Sequence, residues 1–486
     1  LDIWRKKSIE NMLAEREENK RGLVKTLGVA DLTALGVGAV IGTGIFVLTG
    51  VAAANYAGPG VVFSFILSGI AAGLAAMVYA ELAAAIPSAG SAYTFSYVSL
   101  GEMIAWLVGW NLILEYLVAA GAVSIGWSSY VKDLVQSLGF TLPTAYTTSP
   151  FDGGIINLPA VFIVLAITGL IITGTQHSAT ANKIIVIAKL AAIALFIALG
   201  IQHINPANWQ PLLPYGISGV FHGAAIVFFA YIGFDAVATA SEEVKKPQKD
   251  LPRSIILTLV ISTTLYVIVA GILTAMVKYT ALNTASPVTT ALLRVGIPWA
   301  SAVVSVGALA GLTSVLLVSM YGQSRIFFAM ARDNLLPPIF DWLHPRLKTP
   351  VWDSIIIGIV VAAIGAFLPI GLVAELANIG TLTAFIAVSI GAIILRRTKP
   401  DLHRPFRLPF MPVIPILTII SAAYLAINLP PLTWVRFAVW IGLGLLVYAY
   451  YGYKRSNLAG NSETSFSAAA VPEAARKPVP PKDNDD

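Results

Sequence analysis

Few side chains in this sequence can do chemistry, and most of those that can fall inside apolar runs. Lys189 stands among Ala188, Leu190 and Ala191, six residues past Lys183, or about 9 Å farther along a helix. Glu115 lies one helical turn beyond Asn111 within the apolar stretch from Trp106 to Ala122. Asp235 follows Gly233 and Phe234 in a third apolar run. An ionised group near the centre of a bilayer costs about 2.5–3.5 kcal/mol on insertion scales, so each of these needs a partner or a function. A lysine can snorkel to the membrane surface, but Lys183 already occupies that position. Glu115 can face the side chain of a ligand or order neighbouring hydroxyls. Asp235 is read as stabilising an interruption of its helix rather than as touching a ligand. Glu81 reads as structural, and Asp31 and Glu102 as acids in the first turns of helices, where the dipole favours them.

No catalytic set accompanies them. His177, His203 and His222 fall near helix ends, and His344 and His403 fall in loops. The sequence has no HExxH, phosphate-binding loop or GxSxG motif. It has no cysteine, so it holds no disulfide, thiolate metal site or cysteine nucleophile. Neither an enzyme nor a resident cofactor or metal is expected.

The elements that carry these groups are membrane helices. Of 486 residues, 57% are hydrophobic and 12% charged, about half the usual charged share of a soluble domain. The mean hydropathy is +0.79, and a span needs about 20 apolar residues. The apolar runs predict about twelve helices, near 30–54, 58–86, 102–131, 155–176, 182–203, 215–243, 252–278, 297–331, 352–368, 371–395, 411–428 and 433–452. With both termini placed in the cytoplasm, 26 of the 31 basic residues fall on the inner side, the asymmetry expected of a multi-pass protein of the plasma (inner) membrane. That asymmetry also accounts for a pI near 9.3 without nucleic acid as a partner. The first 29 residues carry charge and no signal-peptide core, so a cytoplasmic segment is expected there. Residues 457–486, small, polar and Pro-rich, read as a disordered cytoplasmic tail.

Two of these helices are irregular. The first holds Gly36, Gly38, Gly42 and Gly44 within one apolar span, although each glycine costs roughly 1 kcal/mol in a helix interior. Close packing of small residues is the plain explanation. The sixth helix, five later, repeats the irregularity: Phe228-Phe-Ala-Tyr-Ile-Gly-Phe-Asp235 puts a glycine near mid-span with an acid after it. Paired interruptions at matching places suit a fold of two repeats with its binding site at the breaks. An unwound helix frees N–H groups on one side and carbonyls on the other, and an amino acid offers a carboxylate and an ammonium to meet them.

Three stretches together resemble the amino acid–polyamine–organocation (APC) transporters, which share the LeuT fold: Ile41-Gly-Thr-Gly-Ile-Phe46; Gly233-Phe-Asp through Glu242-Glu243 to Pro247, Pro252 and Arg253; and Arg325 through Ala331-Arg-Asp-Asn-Leu-Leu-Pro337 with Thr349-Pro350. The resemblance covers about residues 25–452 and is greatest to bacterial relatives of the mammalian cationic amino acid transporters and to proton-coupled ApcT-type members. It implies an all-α membrane protein with a 5+5 inverted repeat over 30–204 and 215–395. Helices one and six are broken, and two C-terminal helices follow at 411–453.

The resemblance also assigns roles. The backbone from Gly42 to Ile45, chiefly the N–H groups around Thr43 and Gly44 with the Thr43 hydroxyl, would hold the substrate carboxylate. The carbonyls of Ile41, Phe229, Ala230 and Ile232 would take its ammonium, with Phe229 as a gate. Met320 would narrow the side-chain pocket and favour small neutral substrates such as alanine, whereas Glu115 would favour arginine or lysine. Lys189 matches a lysine whose ammonium stands where sodium-coupled cousins bind sodium, which implies proton coupling; protonated, it would reach carbonyls of the first break and hydroxyls such as Thr313 or Ser314. Proton-coupled symport of an L-amino acid by alternating access is the leading expectation. Exchange of cationic amino acids and membrane amino acid sensing are the alternatives. Some relatives pair with a single-span glycoprotein through cysteine; without cysteine, only a non-covalent single-span partner stays open.

Overall fold

Lipid cannot satisfy backbone N–H and C=O groups, so a chain this apolar must pair them within helices. In the computed structural model the described residues are 4–9, 27–88, 90–137, 139–173, 179–239, 244–284, 286–342, 344 and 349–459. Among them no strand occurs, and the two isolated bridges join Leu27 to Val244 and Thr147 to Asn157. Most of the N-terminal segment, His177, the Glu242–Glu243 pair and the tail beyond residue 459 lie outside the described residues.

The helices that build the fold are α1 (Val29–Val40), α2 (Val61–Ala85), α3 (Ser91–Ser99), α4 (Glu102–Ser137), α5 (Leu158–Ile172), α6 (Ala179–Ile201) and α7 (Gly216–Val227). After them come α8 (Pro247–Met276), α9 (Pro287–Arg294), α10 (Pro298–Arg332), α11 (Val351–Phe367), α12 (Ile370–Thr398), α13 (Val413–Ile427) and α14 (Pro431–Val447). Seven described helical stretches are long and apolar enough to cross a membrane, and four shorter apolar helices accompany them. The first stretch, Val29–Ala85, spans 57 residues, far more than one crossing needs; its backbone turns at Gly58, whose φ is +61°. The short α3 and α9 were not expected from hydropathy, because neither contains a run of apolar residues long enough to register.

The chain is interrupted at both expected places. Helix α1 stops at Val40; Ile41 is extended (φ −80°, ψ 97°), and helix resumes at Gly44 as a wider π turn. Helix α7 stops at Val227, tightens into a 3-10 turn over Phe228–Tyr231, and passes through extended Ile232. Gly233 follows at φ +108°, a conformation that side chains with a Cβ rarely adopt. The two interruptions touch. A Cβ on Gly44 would lie 2.3 Å from the Cα of Ala230, so only glycine lets the chains meet there. Around them α4 packs along α10 and α12, while α8 packs against α1 and α2.

Candidate functional site

A cavity opens where the two interruptions meet. Ala39 and Val40 line it from α1, Gly42, Thr43 and Gly44 from the segment that follows, and Phe229, Ile232 and Gly233 from the α7 side. Helix α4 contributes Glu115, Tyr116, Ala119 and Val123, and α10 contributes Val315, Val318 and Ser319. The Thr43 hydroxyl is buried and has no hydrogen-bond partner. Beside it, Gly44 and Ile45 begin a helix, where N–H groups have no acceptor one turn back. An unpaired hydroxyl and a helix start together make a corner of unpaired hydrogen-bond donors.

Lys189 lies behind this corner and is fully buried. Its Nζ donates to the carbonyls of Gly38 at 2.8 Å and Ile41 at 2.9 Å. Those are carbonyls at the end of α1, left without N–H partners by the interruption. Gly311 of α10 packs against the lysine stem, where a Cβ would come within 3.2 Å of Lys189 Cβ. Thr313 does not join: its hydroxyl donates to the Leu309 carbonyl at 2.7 Å and accepts from Trp127 Nε1 at 3.1 Å.

Three of the four carbonyls assigned to a substrate ammonium already have donors. Ile41 accepts from Lys189, Phe229 from the Ile232 N–H at 3.2 Å, and Ala230 from the Tyr266 hydroxyl at 2.8 Å. Each keeps a second lone pair. The Tyr266 hydroxyl also lies 2.9 Å from the Val40 carbonyl and so bridges the two interruptions. Ile41, Ile45 and Ala230 are buried, but they support the cavity rather than line it.

Met320 stands one residue from the cavity lining. It is buried on α10 and does not line the cavity; Ser319, one residue earlier, does. Successive helical residues point about 100° apart, so a shift of one position turns the side chain away from the site. On the cavity wall at this level of α10 stands the hydroxymethyl group of Ser319.

Glu115 lines the cavity and is near enough to Asp235 and to the Thr381 hydroxyl to interact with both. Asp235 accepts from the Tyr116 hydroxyl at 3.2 Å, which places it behind the cavity wall. Tyr116 was not singled out from sequence. Its ring lies over Gly322, where a Cβ would come within 2.8 Å of it. Among the acids read as structural, Asp31 accepts from the Gly28 N–H at 3.0 Å. Glu81 is ion-paired with Arg396 at 2.5 Å and Arg404 at 3.4 Å. Glu102 is richer than a helix-start acid: Arg5, Tyr97, Tyr448 and Ser456 all donate to its carboxylate. No group of three or more His, Asp or Glu side chains suited to a metal occurs among the described residues.

A family model for amino acid permeases matches residues 27–456. The chain is 46% identical over 458 residues to the methylthioribose transporter of Bacillus subtilis (strain 168), covering 94% of this chain and 99% of that protein. It is 45% identical over 463 residues to the branched-chain amino acid permease BcaP of the same organism, with the same coverage. It is 37% identical over 407 residues to the vacuolar cationic amino acid transporter 4 of Arabidopsis thaliana, covering 82% of this chain and 68% of that protein.

Proposed function

This chain belongs to the amino acid permease family of the APC superfamily, and from that premise we propose that it carries an L-amino acid together with a proton by alternating access. Twelve spans are proposed: a 5+5 inverted repeat over 30–204 and 215–395, then two helices within 411–453. Both termini lie in the cytoplasm in this reading, and the membrane is the plasma membrane. Counting the 57-residue first stretch as two crossings and adding the four shorter apolar helices to the other six supports that number.

The observation that carries the reading is the unpartnered Thr43 hydroxyl in a cavity built on both interruptions. The substrate carboxylate sits on Thr43 and the backbone from Gly42 to Ile45. Its ammonium meets the remaining lone pairs of Ile41, Phe229, Ala230 and Ile232, and Phe229 closes over it. The side chain points toward α4 and α10, against Glu115, Ala119, Val315 and Ser319. With Ser319 rather than methionine at the wall, side chains longer than that of alanine fit. Glu115 offers a charge to a cationic one, and the apolar wall suits a branched one.

Lys189 is the proton-coupling group in this reading. Its ammonium is held by two carbonyls and, among the described residues, by no carboxylate, so losing the proton leaves no unpaired anion behind. Protonated, it ties α6 to the end of α1; deprotonated, it releases that tie. The binding assay that tests the substrate reading titrates purified protein with the twenty amino acids and with methylthioribose. Saturable binding of leucine or arginine, with loss of arginine alone in Glu115→Gln, supports the site as drawn. Binding of methylthioribose without any amino acid overturns it. Counterflow without net proton-driven uptake identifies an exchanger instead.

A further inference from the structure

The turn between α12 and α13 carries positive charge that its own acids do not balance. Residues 396–407 hold Arg396, Arg397, Lys399, Arg404 and Arg407 against the single acid Asp401. Arg396 and Arg404 converge on one carboxylate, Glu81 of α2: Arg396 makes two bonds to it at 2.8 and 2.5 Å, and Arg404 Nε lies 3.4 Å away. That carboxylate also accepts the Leu408 N–H at 2.6 Å. Glu81 is thus saturated by two guanidinium groups and one amide. Arg404 is held below its usual pKa by burial first; Glu81 opposes this shift, while Arg396 and Arg407 add to it. Arg407 is therefore a further cation close to Arg404, and it precedes the Leu408 amide that Glu81 accepts. The side chains of Arg397 and Arg407 are exposed and form no hydrogen bond or ion pair among the described residues.

An apolar surface begins where this charge ends. Phe410 is 78% exposed, and Val413, Leu417, Ile420, Tyr424 and Ile427 are exposed after it. Their spacing of three, four or seven residues puts all five on one face of α13. A guanidinium pairs with phosphate oxygens through two parallel bonds and is more weakly hydrated than an ammonium. Basic groups at the end of a membrane helix attract anionic headgroups.

We propose that Arg397, Arg407, Phe410 and the exposed face of α13 form a binding site for an anionic phospholipid. The headgroup phosphate sits on the two arginines, Phe410 packs at the glycerol level, and one acyl chain runs along α13. A free phosphate would use the arginines and gain nothing from the apolar stripe, which is why a lipid is the better match. The site rests on the membrane-spanning reading of the chain and not on what the protein carries.

The test measures binding of dioctanoyl-phosphatidylglycerol to the full chain in a neutral detergent by isothermal titration. The expected result is saturable binding at least tenfold tighter than that of dioctanoyl-phosphatidylcholine. The Arg397→Gln/Arg407→Gln pair should lose at least tenfold, with an unchanged melting temperature, and Arg397→Lys/Arg407→Lys should keep most of the affinity. Equal affinity for the two lipids, or for wild type and the glutamine pair, would overturn the proposal. Displacement of the lipid by millimolar inorganic phosphate would reassign the arginines to a free anion and overturn it as well.

Discussion

The Lys189 ammonium lies 2.9 Å from the carbonyl of Ile41, the residue at which α1 gives up its helical conformation. A lysine, and with it a charge whenever it is protonated, therefore occupies the place that the interruption creates, one residue before the glycines and threonine that line the cavity. Anything that changes that charge acts on the same backbone that would hold a substrate. The reciprocal also holds: a substrate that favours the protonated form must be favoured by it, by the same coupling energy.

The cavity wall on α10 gives the first prediction. Ser319→Met should fill the space beside Val315 and weaken leucine binding at least tenfold while leaving alanine within a few-fold. Each methylene excluded from burial costs about 0.8 kcal/mol. Met320→Ser should leave selectivity unchanged and lower the melting temperature instead, because it empties packed volume at a cost of about 2–5 kcal/mol. A competition series over alanine, leucine and arginine checks both variants.

Gly44 gives the second. A Cβ there would stand 2.3 Å from both the Cα and the Cβ of Ala230, and backbone cannot yield as a flexible side chain can. Gly44→Ala should abolish substrate binding. Gly371→Ala is the control, since nothing lies within 4 Å of its added Cβ; it should bind and transport as wild type. Titration of the two purified variants with substrate reads the difference.

The third concerns sidedness. With both termini taken as cytoplasmic, 26 of the 31 basic residues fall on the inner side, so a cysteine placed at Asn283 should react with an impermeant reagent added outside intact cells. One placed at Asn334 should react only after permeabilisation. Because the chain has no cysteine of its own, the background is clean. The reverse pattern would invert the proposed topology.

The parts of this architecture that were legible from sequence are those that composition and backbone chemistry dictate. Long apolar runs mark α10 to within one residue and α4 and α8 to within six, and the glycines from Gly36 to Gly44, with Gly233, mark both interruptions. Glu115 stood out because a carboxylate in an apolar run is conspicuous. What stayed hidden depends on direction and contact. Ser319 and Met320 differ by one residue and about 100° of rotation, which an apolar helix does not reveal when it is lined on several sides. Tyr266 gave no signal, since a tyrosine in an apolar helix reads as packing; only the folded chain brings its hydroxyl to Val40 and Ala230. The occupied carbonyl of Phe229 follows from local turn geometry, and α3 and α9 are too short for a hydropathy pattern to register.

The most direct test is leucine uptake into proteoliposomes driven by an inward proton gradient in sodium-free buffer, compared between wild type and Lys189→Ala. Arginine or lysine replaces leucine as the labelled substrate if the binding titration selects it. Wild type should accumulate substrate above equilibrium and lose the accumulation when a protonophore collapses the gradient. Lys189→Ala should show none, and Lys189→Arg should fail as well, because a guanidinium does not release its proton in this range. Full gradient-driven accumulation by Lys189→Ala would contradict the role given to this lysine, and accumulation that requires sodium would contradict proton coupling.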